Sequence, residues 1–145
     1  MMKQKIKLAL AFVAASPTLA FADMLAAQSH FELPVIGIDA NSFEVIEEQG
    51  AGGPQMWCAA AIYARKVLGQ RGADLYIEVP RGQAQTIAGR QGVVFTIAPV
   101  SNPVQSYSFG TDQAGSKHSV ASANSICRDV RSFSIRTSAN QRIHW

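Results

Sequence analysis

Two cysteines and one histidine between them, Cys58, Cys127 and His118, carry the most pointed chemistry in this chain. The pattern around Cys58 predicts the first turn of a helix, where the helix dipole lowers a thiol's pKa and makes thiolate available at neutral pH. His118 lies downstream of Cys58, the chain order in which papain-like and related cell-wall peptidases place nucleophile and base, and Asn124 or Asp129 could orient its imidazole. Against that reading, Ala59-Ala60-Ala61 follows Cys58 and no further peptidase motif surrounds His118. The simpler expectation for two cysteines in an exported protein is one Cys58–Cys127 disulfide. Such a bridge closes a loop of about 70 residues, worth roughly 4 kcal/mol in the chain-entropy model. A bonded Cys58 is no nucleophile.

The remaining chemistry is weaker. Gly50-Ala51-Gly52-Gly53 starts like a dinucleotide fingerprint, but its sixth position is Gln55 and no Lys-Ser/Thr pair follows, which excludes a P-loop. The expectation there is a flexible turn before a helix started by Pro54. His30, His118 and His144 stand at no metal-ligand spacing. Glu47 and Glu48 are neighbours on an expected strand end and so point to opposite faces, which does not make a glycosidase pair. No cofactor or metal is expected from this sequence.

The first 22 residues have a different character. Lys3, Lys5 and Lys7 precede the apolar run from Leu8 to Ala15, Ser16-Pro17 breaks it, and Ala20-Phe21-Ala22 is a small-x-small cleavage pattern. The apolar run is too short to span a bilayer. The expectation is a signal peptide over residues 1–22, cleaved between Ala22 and Asp23, and a mature chain that is periplasmic or extracellular. No later segment is apolar for long enough to be a transmembrane helix. The whole 145-residue chain has 13 Lys+Arg against 10 Asp+Glu and a formal charge of +3; three of those bases lie before Ala22, so the mature chain is neutral. Its charge is unevenly placed. Residues 23–50 hold six acids and no Lys or Arg, whereas Arg128, Arg131, Arg136 and Arg142 crowd the end with Asp129 alone against them. Three outcomes are open: the acidic leader lies against the basic portion of the same molecule, each is simply a solvated surface, or the arginine-rich tail contacts an anionic envelope surface or partner. Nucleic acid is not an expected partner, because four spread arginines are a poor footprint and the chain leaves the cytoplasm.

Elements to position these residues can be read from periodicity. Residues 23–42 read as an irregular leader, with Pro34 and Gly37 interrupting a short apolar run. A strand follows over 43–48, with Phe43 and Val45 on one face. The best helix runs from Gln55 to Leu68 and ends at Gly69, with Trp57, Ala61, Ala64 and Leu68 on one face. Strands are expected around Leu75-Ile77-Val79 and Val93-Phe95-Ile97, closed by Pro80 and Pro99, with a weaker one over 106–111. Ser119 caps a second helix over 120–130, and Phe133 and Ile135 suggest a short edge strand in the tail. The order implies one α+β domain over 43–145, a small mostly antiparallel sheet with two helices packed on one face, cross-linked by one disulfide. The apolar content of 48% excludes a disordered polymer, and two cysteines exclude a Cys-dense miniprotein or a four-thiolate zinc site. An outer-membrane barrel is excluded for want of serial alternating strands.

The segment Met56-Trp57-Cys58-Ala59-Ala60-Ala61-Ile62-Tyr63-Ala64, together with Ile126-Cys127, resembles small exported bacterial proteins of unknown function. The resemblance covers about a fifth of the chain, implies export and a Cys58–Cys127 pairing, and implies no activity. The functional expectation is a non-enzymatic binding or interaction module of the envelope with an unidentified partner. The alternative is a thiol hydrolase or peptidase using Cys58 and His118.

Overall fold

A computed structural model describes residues 30–129 and 132–145. The expected signal peptide, its Ala22–Asp23 cleavage site, the start of the leader, Val130 and Arg131 lie outside the described residues. The chain forms β1 (His30–Gly37), β2 (Ser42–Ile46), α1 (Gly53–Lys66), β3 (Asp74–Gln83) and β4 (Gln91–Thr96). It continues through β5 (Val104–Gln105), β6 (Ser116–Ser119), α2 (Val120–Ser125), a 3-10 turn (Ile126–Asp129), β7 (Ser132–Thr137) and β8 (Arg142–His144). All eight strands join one sheet in the order β5-β6-β3-β4-β2-β1-β7-β8. The fold is α+β, but the sheet is mixed where a mostly antiparallel one was expected. β1 runs parallel to β7 and β5 parallel to β6, because the chain returns to β7 by way of α2 and enters the far side of β1 in its own direction.

Pairing partners share a face, so the register sorts the sheet into two surfaces. Phe43 opposes Phe95, Val45 opposes Val93 and Val35, Ile77 opposes Phe95, and Leu33 opposes Ile135. These residues and both helices form one buried cluster, which places the helices on the same face. Trp57 meets Phe95 edge-on at 4.9 Å, and Phe43 packs on Tyr63 at 4.4 Å. Helix α1 is buried continuously from Met56 to Ala64, not along one stripe. Its alanines allow close approach of the sheet below and of α2 and the disulfide beside it. Gly69, at φ 70°, ends it, and the Gln70 N–H reaches back to the Ala64 carbonyl at 2.8 Å.

Four local expectations are corrected. Residues 30–37 of the supposed leader form β1, a strand in the interior of the sheet. Pro34 does not break it. The Ile38 N–H donates to Ser42, so even-numbered residues of β1 direct their backbone groups toward β2; Pro34 sits just beyond Val35, where that pairing stops. β3 likewise continues past Pro80 to Gln83, with bulges between Ile77 and Gly82. Residues 106–111 are not a strand, because their carbonyls serve side chains: Gly110 accepts from Trp57 Nε1 at 3.0 Å and Ser108 meets His118 Nε2 at 2.9 Å. Phe133 and Ile135 belong to β7, which is an interior strand; the edge is β8. The β7–β8 pairing turns the His144 carbonyl outward, and Lys66 reaches over to donate to it, capping that edge.

Candidate functional site

Helix α1 begins at Gly53, so Cys58 lies in its second turn, beyond the reach of the dipole that a first-turn position would supply. Its sulfur is bonded to that of Cys127, with Cα atoms 5.2 Å apart, and both residues are buried at 1% and 0% exposure. No thiol is free among the described residues. His118 stands on β6 opposite Leu75 and faces the same core. Its ring stacks on Phe109 at 4.2 Å and meets Trp57 edge-on at 4.7 Å, with Nε2 held by the Ser108 carbonyl. Asn124 accepts from Arg65 at 2.6 Å and from Trp145 Nε1 at 3.1 Å, so it binds the helix pair to the C-terminal residue. Asp129 is exposed. Each group of that triad thus has a structural partner or faces solvent, and among the described residues no hydrogen bond or ion pair joins His118 to Cys58, Asn124 or Asp129.

The glycine loop before α1 is equally structural. A Cβ at Gly53 would lie 2.0 Å from the Phe109 carbonyl oxygen, so the loop that holds His118 and Trp57 needs a bare backbone there. Gln55, the residue that departs from the dinucleotide motif, accepts the Gly52 N–H at 3.0 Å and completes the helix start.

The acidic front and the arginine-rich end meet on the opposite face. Glu32 on β1 pairs with Arg136 on β7 at 3.1 Å and with Arg142 on β8 at 2.5 Å. Arg136 also approaches Glu48 at 3.8 Å; Glu48 pairs with Arg90 at 2.9 Å, and Glu47 pairs with Arg81. Parallel pairing of β1 with β7 is what brings residues a hundred positions apart into register, with Glu32 beside Ser134 and Pro34 beside Arg136. Glu44, a buried carboxylate the sequence reading passed over, accepts the Gln85 and Thr86 N–H groups at 2.8 Å and the Thr86 hydroxyl at 2.5 Å. It fastens the β3–β4 loop to the sheet. An acidic residue at an interior strand position was its one sequence signal.

Two grooves open at the ends of the sheet. One, of about 490 Å³, is bordered by Glu47, Glu48 and Arg90, which already pair with arginines or with each other. The larger, of about 580 Å³, lies where β2 begins and β4 ends, and Asp39, Asn41, Ser42, Glu78, Thr96 and Asn102 line it. Pro99 and Val100 supply apolar surface. Asp39 Oδ1 accepts the N–H groups of Asn41 and Ser42, each at 2.8 Å, and these bonds hold its carboxyl below the usual carboxylate range. Ser42 Oγ donates to Thr96 Oγ1 at 3.1 Å, an oxygen that also accepts the Ala98 N–H. Among the described residues no three His, Cys, Asp or Glu side chains gather as metal ligands, and no helix is long and apolar enough to cross a membrane.

No family model matches the chain, and neither a curated protein nor a solved structure does.

Proposed function

We propose that this chain is an exported, disulfide-stapled binding module of the bacterial envelope without hydrolytic activity of its own. The observation that carries the reading is the buried Cys58–Cys127 bridge between the two helical segments. Such a bridge persists in an oxidising compartment, and it consumes the one nucleophile the alternative requires. A thiol hydrolase would need the bridge reduced and His118 released from Ser108 and from its two aromatic neighbours. The ion pairs made by Arg136 and Arg142 count against the tail as a docking surface for anionic envelope components, because their charge is already met by Glu32 and Glu48. The groove where β2 begins and β4 ends offers a concave surface with polar lining residues for a small ligand.

Production of the full-length chain in a bacterium with intact export, followed by fractionation and intact-mass measurement, tests the reading. The expected product starts at Asp23, appears in the exported fraction and is two hydrogens lighter than the dithiol. Recovery in the cytosol with residues 1–22 attached would contradict it.

A further inference from the structure

The arginines of β7 and β8 are paired with Glu32 and Glu48, but the cations at the C-terminal end of α1 are not. From Gln49 to Ala73 the chain holds Arg65, Lys66 and Arg71 and no acid. Arg65 donates to the Asn124 oxygen and Lys66 to the His144 carbonyl, both neutral acceptors, and Arg71 is exposed on the turn after the helix. None of the three has an ion-pair partner among the described residues. The α1 dipole favours bases in its last turn, but its partial charge matches only part of them. The acids on the adjoining segments are Asp129, offset by its neighbour Arg128, and the main-chain carboxylate of Trp145. A second, independent observation lies at the same place. Among the described residues four large apolar side chains are exposed, and Val67 and Trp145, at 42% and 44%, are two of them. Hydrogen bonds fix their surroundings. Trp145 Nε1 shares the Asn124 oxygen with Arg65, and Lys66, beside Val67, reaches the residue before Trp145. The indole N–H is thus satisfied inside the protein, and what Trp145 leaves in solvent is carbon. An indole in that state enters a less polar layer without losing a hydrogen bond.

We propose that the C-terminal end of α1, together with Trp145, docks on an anionic phospholipid bilayer. Headgroup phosphates meet Arg65, Lys66 and Arg71, while Val67 and the carbon edge of Trp145 enter the boundary between headgroups and acyl chains. A soluble polyanion would meet the cations and leave both apolar side chains in water; a bilayer boundary satisfies both. Without residues 1–22 the chain carries no net charge, so the attraction is local to this patch. This inference rests on the reading of an exported binding module and supplies its partner.

The test takes the exported, disulfide-intact protein, free of residues 1–22, whose own apolar run would bind lipid. Binding to vesicles is measured at physiological ionic strength, where a Debye length of about 8 Å keeps the attraction local. Vesicles of equimolar phosphatidylglycerol and phosphatidylcholine should bind at least about tenfold tighter than phosphatidylcholine alone, and about 1 M salt should abolish the difference. Arg71→Gln should weaken binding about fivefold with an unchanged thermal midpoint. Arg90→Gln, the same charge change at a residue paired with Glu48, should leave binding within about twofold of the parent. Lipid brominated in its acyl chains should quench Trp145; the other tryptophan, Trp57, is fully buried. No binding, equal binding to the two vesicles, equal loss in the two variants or absence of quenching would overturn the proposal. So would tighter binding to soluble polyglutamate, the mark of an acidic polypeptide partner. Any of these results with disulfide-intact, exported protein would remove the bilayer and leave the binding-module reading standing; a free, reactive Cys58 would remove the reading itself.

Discussion

At Gly53 the fold leaves no room for a side chain. Its hypothetical Cβ lies 2.0 Å from a backbone oxygen, which unlike a side-chain tip cannot swing aside. Gly53→Ala should therefore destabilise the protein by at least about 1–3 kcal/mol, the cost of overpacking, as read from the urea midpoint. An unchanged midpoint would mean that the 106–111 loop does not sit against the start of α1. Tyr63 makes a second prediction, in pH. Burial raises its phenol above the usual range, so the native state favours the neutral form. That contribution is fully present below the unfolded phenol value of about 10 and is lost as pH rises through the higher native value. Tyr63→Phe should accordingly show a shallower fall in stability above about pH 10 than the parent does. Parallel alkaline limbs in urea titrations would contradict this. The Tyr63 hydroxyl also stands where a Cβ on Gly37 would come within 2.7 Å of it, so removing the hydroxyl should ease a Gly37→Ala substitution.

Among the elements, alternation and capping residues located β2, α1 and the start of α2, and failed where backbone partners decide. β2, α1 and the Ser119 cap fall where the alternation and capping residues put them, and Ser119 Oγ accepts the Ser122 N–H at 3.0 Å. β1 was hidden by Pro34, whose cost depends on which side of the strand lacks a partner, a fact of tertiary pairing. The segment 106–111 alternates like a strand, yet two side chains from elsewhere take its carbonyls. Of the chemistry, the cysteine pair was legible because composition alone nearly dictates it. The groove was not, since its lining comes from four separate stretches of chain. Glu44 shows how such a contact can be probed. Glu44→Gln puts an amide against two N–H donors, so it should cost about 1–3 kcal/mol and speed amide exchange at Gln85 and Thr86. Unaltered exchange at both would show that the carboxylate does not hold the loop.

Across the molecule, the uneven charge of the sequence resolves into contacts within it. The acidic front supplies β1 and β2, the arginine-rich end supplies β7 and β8, and the sheet brings Glu32 between Arg136 and Arg142. Glu32 is buried but the side chains of its arginine partners are 41% and 59% exposed, so solvent screens these pairs, and they compensate the buried carboxylate and orient the end of the chain more than they stabilise it. The covalent staple has the larger effect. Closing a loop whose ends are 69 residues apart, it should contribute roughly 4 kcal/mol in the chain-entropy model, and Cys58→Ala/Cys127→Ala should lower the unfolding free energy by about 2–5 kcal/mol. That bridge separates a binding module from a thiol hydrolase, and alkylation followed by intact-mass measurement reads it most directly. The native protein, treated with iodoacetamide without reductant, should gain no adduct. Unfolded and reduced first, it should gain two. A single adduct on Cys58 in the native, unreduced protein would contradict the account.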